Sequence, residues 1–372
     1  MMKILKYFLL MIYILIIASC SEDKNNSSSS SFNIIKSEFV DGNSLLLTDS
    51  LILYNTKENF IGAVGNIYYW RDYFLISDYV RKCLHVLDTN MTYVKKLGKE
   101  GKGPGEFTSS PILVKESDST LKIVKPLEKK ICVYNEELHL IGEYNLPNKF
   151  NYQFRLPLET DSLIIFPIGY PGSLADVSYY ENHKSLALIN KYNWEHDKDI
   201  FNFDPIYHDE RYSGYTGSYF GVILCSMNNG RILAIQRASN MLTIFDNKYK
   251  QKLKFGIESK FYKKPQMKTL KEVQQSYDAF TDFGTKNTLI TNLHYDFIKE
   301  WSIISFINKS KEAYTSRDKS QGTKFLQIYN SEYNCIIDES INGVFLFSIN
   351  GEIYILREES PERLVIEKYT VV

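Results

Sequence analysis

Histidines are the side chains best suited to proton transfer or metal binding, and six are scattered along the chain: His85, His139, His183, His196, His208 and His294. No two of them have the spacing of a paired metal site. His85 lies in a strand-like run, whereas His208, Asp209 and Glu210 form the densest group of potential ligands, in a predicted loop. Solvated loop charge is the simpler interpretation of that group, and a metal or acid–base site at His208 and Asp209 is the weak alternative.

A glycine-rich stretch is the second place to look for chemistry, and it contains Gly98, Gly101, Gly103, Pro104, Gly105 and Phe107. A phosphate loop requires Ser or Thr after its lysine and a helix after the loop. Here Lys102 is followed by glycine, and a strand-like run comes next. We interpret the stretch as a crossover between sheets, in which glycine and proline set the backbone angles and Phe107 docks between the sheets.

Nucleophilic and carboxylate chemistry leave no signature in this sequence. A nucleophile elbow of the form G-x-S-x-G does not occur. With 44 acidic residues, no glycosidase-like pair can be chosen without geometry. The sequence therefore predicts no catalytic residue and no cofactor.

Aromatic side chains give the best candidates for ligand binding. They cluster between Tyr207 and Phe220, and a second group follows Gly169. Together these segments could form an aromatic rim that stacks on sugars or peptide side chains. The alternative is that they only cover an inner strand. The candidate residues are Tyr170, Tyr180, Tyr207, Arg211, Tyr212 and Tyr215.

Composition favours an all-β fold that does not bind nucleic acid. The 372 residues include 28 Tyr and 22 Phe, which suit the pleated surface of a sheet. Basic and acidic residues number 44 each, so no positive excess is available for phosphate backbones.

The N-terminus carries a targeting signal. Lys3 and Lys6 precede a short apolar run that closes with Ile17-Ala18-Ser19-Cys20. This resembles the bacterial lipoprotein signal, which implies cleavage after residue 19 and a lipid on Cys20. Residues 1–19 are then the signal peptide, 20–32 a polar, serine-rich tether, and 33–372 the folded domain.

That N-terminal pattern also predicts where in the cell the protein is located. The chain would be held at the membrane of the cell envelope by its lipid, as an outer-membrane lipoprotein. Glu22 and Asp23, directly after the tether begins, resemble the export signal of Bacteroidetes surface lipoproteins. Surface display is the favoured orientation, and a periplasmic one stays open.

Four further cysteines follow Cys20, at Cys83, Cys132, Cys225 and Cys335. Their spacings are wide and include no C-x-x-C pair, which argues against a zinc ribbon or a thioredoxin-like motif. The envelope would permit disulfides, but we expect buried free thiols.

A repeated pattern defines the architecture. Apolar runs closed by Asp or Asn recur at intervals of roughly 50 residues. Most are preceded by a turn and another strand-like run and followed by a further strand, which makes units of four strands. Six such units describe a six-bladed β-propeller, with an N-terminal strand completing the last blade. The closing residues are Asp88, Asn135, Asn190, Asp246, Asn308 and, as a variant, Arg357.

The glycine stretch adds a family resemblance. From Gly98 to Phe107 it resembles the G-x-x-G-x-G-P-G-E-F signature of NHL-like six-bladed propellers, and especially the TolB-like six-bladed lipoproteins of Bacteroidetes. The similarity is best over residues 60–147 and weakens over 260–301. There, Thr269-Leu270-Lys271-Glu272 predicts a capping box and a short amphipathic helix inserted before the fifth blade.

Three functional hypotheses follow. The favoured one is a non-catalytic module that binds a glycan, a peptide or an envelope protein. A propeller enzyme, such as a lyase, lactonase or glycan hydrolase, would instead use His, Asp or Glu facing the central channel. The third is a scaffold in an envelope complex.

Overall fold

The computed structural model describes residues 32–57, 59–115, 119–172, 176–209, 211, 220–315 and 321–372. Asn33–Val372 form one compact unit. Its strands make six sheets, which confirms the predicted six-bladed propeller. The predicted signal peptide, the lipidation site Cys20 and most of the tether lie outside the described residues.

The strands, numbered in chain order, are β1 (Asn33–Lys36), β2 (Leu45–Tyr54), β3 (Val64–Trp70), β4 (Tyr73–Asp78), β5 (Cys83–Asp88), β6 (Tyr93–Leu97), β7 (Ile112–Leu113), β8 (Leu121–Lys125), β9 (Lys130–Tyr134), β10 (Leu140–Asn145), β11 (Asn151–Tyr152), β12 (Leu158–Glu159) and β13 (Leu163–Gly169). They continue with β14 (Lys184–Asn190), β15 (His196–Asn202), β16 (Val222–Ser226), β17 (Ile232–Gln236), β18 (Leu242–Phe245), β19 (Gln251–Gly256), β20 (Leu289–Asp296), β21 (Trp301–Lys309), β22 (Gly322–Tyr329), β23 (Cys335–Ile341), β24 (Val344–Ile349), β25 (Glu352–Glu359) and β26 (Arg363–Val371). Helices lie between some of them: α1 (Val177–Asn182), α2 (Leu270–Gln274), α3 (Tyr277–Thr285), α4 (Glu312–Thr315) and the 3₁₀ helices Pro205–His208 and Asn228–Gly230.

Each blade is an antiparallel sheet whose first strand is innermost. Blade 1 is β3–β6, blade 2 is β7–β10, and blade 3 is β12–β15 with β11 beside β13. Blade 4 is β16–β19, blade 5 is β20–β23, and blade 6 is β24–β26 with β2. Six separate apolar clusters fill the spaces between neighbouring blades, including the space between blades 6 and 1. The ring is therefore closed by packing as well as by hydrogen bonds.

The N-terminal segment closes the ring, as predicted. Strand β2 pairs antiparallel with β26 from Leu45↔Val371 to Tyr54↔Arg363 and so becomes the outer strand of blade 6. The sequence did not predict β1, which adds a parallel fifth strand to blade 4 beside β19. Between the two strands, Phe39 bridges to Cys335 at the outer edge of blade 5. One segment thus covers the exposed edges of three successive blades.

The propeller has two unlike faces. On one, which we call the turn face, the connections within each blade from first to second and from third to fourth strand are two to seven residues long. On the other, the insertion face, lie the connections from second to third strand and those between blades, which reach 32 residues. Helices α1 to α4 and the glycine stretch all belong to the insertion face.

A single turn recurs on the turn face. Asp88 Oδ1 accepts the backbone N–H groups of Asn90 and Thr92 at 2.9 and 2.8 Å. Asp246 Oδ1 does the same for Lys248 and Lys250 at 2.9 Å. Asn135, Asn190 and Asn330 fill the equivalent position in blades 2, 3 and 5. This is the physical reason why an apolar strand is followed by Asp or Asn.

A left-handed residue follows in each of these turns, with φ of 61–65°. This conformation costs a non-glycine residue roughly 1–2 kcal/mol. Each such side chain packs into the core that its blade shares with the preceding blade, which offsets the cost. The five residues are Met91, Leu138, Trp194, Tyr249 and Tyr333.

Two of the six predicted closing residues were wrong in position. In blade 5 the turn residue is Asn330, whereas Asn308 lies in the second strand and binds Thr288 Oγ1 and the Phe261 carbonyl. In blade 6, Arg357 also lies in the second strand, and the fourth strand is β2, so no turn joins the third strand to the fourth. The predicted number of blades was still correct. Second and third strands are both buried apolar runs, so each misplaced residue still marked one blade.

The predicted insertion before blade 5 contains two short helices instead of one. The capping box at Thr269 and Glu272 is confirmed at the start of α2. Ser276 then caps α3 separately, so the predicted continuous apolar face is broken. Val273 is buried, but Tyr277 and Phe280 are 57% and 44% exposed.

The four cysteines of the folded domain are buried free thiols, as expected. Among the described residues, no helix has the length and apolar character needed to cross a membrane.

Candidate functional site

Two of the predicted aromatic residues, Tyr180 and Tyr207, lie on the insertion face and are buried in an apolar core. Tyr180 on α1 and Tyr207 have ring centroids 5.4 Å apart and are 1% and 0% exposed. They pack with Phe203, Val273 and Phe283 in a seventh apolar cluster. The structure therefore brings the two predicted segments together, while burial removes these two rings from contact with a ligand. Tyr212 and Tyr215 lie outside the described residues.

Tyr170 is half-buried beside this cluster. Its ring stacks on His183 at 4.1 Å between centroids, and its hydroxyl donates to Asp199. Burial and the Asp199 carboxylate raise the pKa of Tyr170 above its ordinary range. Its aromatic face and its hydroxyl are both engaged within the protein, and ligand binding by this residue stays a prediction.

His208 is the last residue of the 3₁₀ helix before blade 4, and Asp209 and Arg211 follow it. Arg211 and Asp209 form an exposed ion pair of 2.6 Å, and the hydrogen bonds from Arg211 lower the pKa of Asp209 to about 2. In the described part of the chain, neither His208 nor Asp209 belongs to a group of three or more potential metal ligands. A solvated loop is what the geometry supports here.

A cavity that could hold a ligand lies elsewhere on the insertion face, between blades 5 and 6. We call it the 5/6 pocket; its volume is about 290 Å³. Its wall is made by the ends of β20 to β24 that meet at this face. The lining residues are Leu289, Thr291, Ser305, Phe306, Ile307, Lys309, Lys324, Ile341, Gly343, Val344 and Phe345.

The chemistry of the 5/6 pocket is mostly apolar. Aromatic and aliphatic side chains form most of its wall, and no carboxylate is among its described lining residues. Thr291 and Ser305 place their hydroxyl oxygens 2.7 Å apart at one side. Lys309 and Lys324 add the two cationic side chains. Apolar walls with a few polar groups at defined positions are typical of binding sites for small ligands or protruding side chains.

Sequence reasoning missed this pocket for a physical reason. Its lining comes from five strands spread over residues 289–345, and each residue also fits the ordinary alternation of a buried strand. Only the assembled packing of two blades shows that the space between them is unfilled.

Two described residues at the inner strands, Lys115 and His294, contact main-chain carbonyls of other blades. Lys115 donates to the carbonyl oxygens of Leu224 and Leu293, at 3.2 and 3.0 Å, from the opposite side of the ring. His294 lies within hydrogen-bonding distance of the Ser348 carbonyl, at 2.8 Å. Burial, with the Lys115 charge, lowers the pKa of His294 to about 4, so its ring is neutral at pH 7. Both groups are engaged in holding the inner strands together.

Comparisons with known proteins agree with this fold. A crystal structure of a member of the DUF4221 family from Bacteroides vulgatus is similar, with a TM-score of 0.68 and 12% identity over 89% of this chain and 98% of that one. A putative exported protein from Bacteroides fragilis has a TM-score of 0.61 and 12% identity over 92% of this chain and 100% of that one. No curated protein matches the sequence. Residues 21–337 match the family DUF5128, described as a 6-bladed beta-propeller, and the chain belongs to this family.

Proposed function

We propose that this chain is a non-catalytic binding module of the cell envelope, which captures a peptide or protein partner by enclosing one of its apolar side chains in the 5/6 pocket. The observation that carries the proposal is the pocket itself, with its volume of about 290 Å³ and its mostly apolar wall. Burying an apolar side chain there would gain about 25 cal/mol for each Å² removed from water.

The character of the pocket favours a peptide over a glycan. Sugars carry many hydroxyl groups that need hydrogen-bond partners when they are buried, and the walls around Ile307 and Phe345 supply none from their side chains. Thr291 and Ser305 can donate to and accept from one peptide group beside the enclosed side chain. The size also fits, because sites for drug-sized ligands usually begin at about 300 Å³.

A binding role without catalysis is supported by the hydrogen bonds that Lys115 and His294 make at the inner strands. Lys115 and His294 both contact main-chain carbonyls, and His294 is neutral at pH 7.

Membrane attachment through Cys20 is the second part of the proposal. It rests on the sequence signal and on the resemblance to TolB-like and NHL-like lipoproteins. Replacing Cys20 by Ser should remove the lipid and shift the chain from the membrane fraction to the soluble fraction of the envelope. Retention of the C20S variant on membranes at the wild-type level would contradict the anchor and leave the pocket proposal intact.

Peptide capture can be tested with the full-length chain in detergent. A library of short peptides with one position varied through all amino acids is applied to the protein, and retained sequences are read out. We expect enrichment of Phe, Leu, Met or Trp at the varied position.

A pocket-blocking variant then locates the site. Thr291 is exposed on β20 at the pocket wall, so Thr291→Phe places a ring at the opening with little disturbance of the core. This variant should weaken binding of the retained peptides at least tenfold, whereas Val94→Phe, at an exposed position of β6, should not. Equal binding by both variants, or no enrichment of apolar residues, would overturn the proposal.

A further inference from the structure

Three side chains with metal-binding chemistry meet at the insertion-face end of blade 1. Asp78 is the last residue of β4, and Cys83 and His85 lie at the start of β5, directly across the hairpin. All three are buried, with exposures of 0%, 1% and 1%. Within the described residues they form the one group of three potential ligands whose donor atoms all lie within 4.8 Å of one another.

The spacing of the three donor atoms suits coordination of one metal ion. His85 Nε2 is 3.5 Å from Asp78 Oδ2 and 3.6 Å from Cys83 Sγ. An N–H···O hydrogen bond is normally about 2.7–3.2 Å long. A tetrahedral zinc ion with bonds of about 2.0–2.3 Å holds its ligand atoms roughly 3.3–3.6 Å apart. The second ring nitrogen of His85, Nδ1, is buried without a hydrogen-bond partner.

We propose that Asp78, Cys83 and His85 bind a thiophilic divalent cation, with Zn²⁺ as the best match. A carboxylate, a thiolate and an imidazole are all favourable zinc ligands. On binding, the Cys83 thiol releases its proton to solvent and His85 coordinates through Nε2 with its proton on Nδ1. Two negative ligands and one Zn²⁺ sum to zero charge, which suits a buried site. Three protein ligands leave one tetrahedral position for a water molecule.

A Cys–His–Asp nucleophile does not fit the same residues. Such a triad needs the thiol at one imidazole nitrogen and the carboxylate at the other. Here both groups face Nε2. The thiol is also too buried for a substrate to reach.

The position of the site suggests what the ion does. Asp78, Cys83 and His85 continue the face of blade 1 that packs against blade 6. Asp78 Oδ2 also accepts the N–H of Gly62, at 2.7 Å, from the connection between β2 and β3. This connection joins the ring-closing strand to blade 1. A metal ion at Asp78 would therefore fasten the seam where the first and last blades meet.

The sequence contains a weak signal for this metal-binding group. Asp78, Cys83 and His85 have the spacing D-x₄-C-x-H. This pattern is informative only once the hairpin register pairs Asp78 with Cys83. A search for paired histidines overlooks it.

Cobalt titration tests the proposal directly. The full-length chain, with Cys20→Ser to remove one competing thiol, is purified in detergent with a non-coordinating reductant and titrated with Co²⁺. We expect one equivalent to produce tetrahedral visible bands and a thiolate-to-cobalt charge-transfer band. Zn²⁺ should displace Co²⁺ and bleach both.

Variants assign the ligands. Cys83→Ser should abolish the charge-transfer band, and His85→Asn should weaken Co²⁺ binding at least tenfold, with far-UV circular dichroism showing that each is folded. Cys132→Ser, a change at another buried thiol, should leave the spectrum unchanged. Zn²⁺ should raise the thermal midpoint of the C20S protein but not that of the variant that also carries C83S.

Two results would overturn the proposal. One is the absence of a thiolate band in the C20S protein with excess Co²⁺. The other is a band that persists when Cys83 is replaced. If C83S does not fold, the H85N titration decides between the same outcomes.

Discussion

The two faces of this propeller are built on different rules. The turn face repeats one Asx turn in five of its six blades, with an apolar left-handed residue that fastens each blade to its predecessor. The insertion face varies from blade to blade and carries the helices, the buried aromatic cluster, the 5/6 pocket and the Asp78–Cys83–His85 group. The difference teaches that regularity marks the scaffold, and that the candidate sites lie on the face whose connections vary.

Part of the insertion face also stabilises the fold. Phe107, at the end of the glycine stretch, is 1% exposed and packs in the core between blades 1 and 2. Gly98 has a φ of 71°, and a Cβ added there would lie 2.2 Å from the Phe107 ring. Glu106 Oε2 accepts the N–H of Gly103 at 2.8 Å and helps to hold the loop. The stretch thus serves as a plug between blades.

The largest effect is expected when this plug is removed. Phe107→Ala should lower the free energy of unfolding by about 3–5 kcal/mol, because it opens a cavity in a closed core. Urea denaturation followed by circular dichroism measures the change. Phe154→Ala is the matched control on the same face, since Phe154 is 50% exposed, and should change stability by less than about 0.5 kcal/mol. A loss below about 1 kcal/mol for F107A would show that the stretch is not structural.

A smaller, pH-dependent effect should appear at Glu143. Its carboxylate lies 3.0 Å from Lys125 Nζ and 2.8 Å from Lys130 Nζ. Burial alone would raise the pKa of Glu143, but these ammonium groups outweigh it and lower the pKa to about 2. Because the folded pKa is below the unfolded one, this carboxylate stabilises the fold above about pH 4.5, and the stabilisation is lost as the pH falls towards 2.

Glu143→Gln should therefore flatten the acid side of the stability curve. The stability difference between wild type and E143Q should shrink by about 2–3 kcal/mol from pH 6 to pH 2. Urea midpoints at a series of pH values measure it. Glu136→Gln, at an exposed ion pair with Arg71, should keep the wild-type slope. Parallel curves for wild type and E143Q would contradict the assignment.

The smallest effect is expected on the turn face. Asp246→Ala removes the acceptor for two backbone N–H groups and should cost about 1–2 kcal/mol. Asp246→Asn should recover most of this loss, since asparagine fills the same position in blades 2, 3 and 5. Neither change should alter peptide binding in the 5/6 pocket. Reduced peptide affinity in folded D246A would contradict the claim that the turn face takes no part in binding.

The scaffold could be predicted from the sequence because its rules are local. Asp88 and Asp246 were recognised as ends of apolar strands, and the structure shows the turn that requires them. The prediction went wrong at Asn308, where a buried asparagine in a second strand imitates the same local pattern. Ring closure by β2 was also predictable, since an unpaired strand before the first blade needs a partner.

The candidate sites could not be predicted because they depend on non-local packing. Tyr180 and Tyr207 were correctly grouped, but only the assembled helices and loops show that both rings are buried. The 5/6 pocket exists only between two finished blades. Composition and spacing record which residues are present, whereas burial decides which of them can meet a ligand.

The most direct test of the pocket as the binding site is a crystal structure of the chain with a peptide retained from the library. We expect density for an apolar side chain against Leu289, Ile307 and Phe345, with the peptide backbone beside Thr291 and Ser305. A peptide bound on the turn face or in the central channel, with no side chain in the 5/6 pocket, would contradict the account.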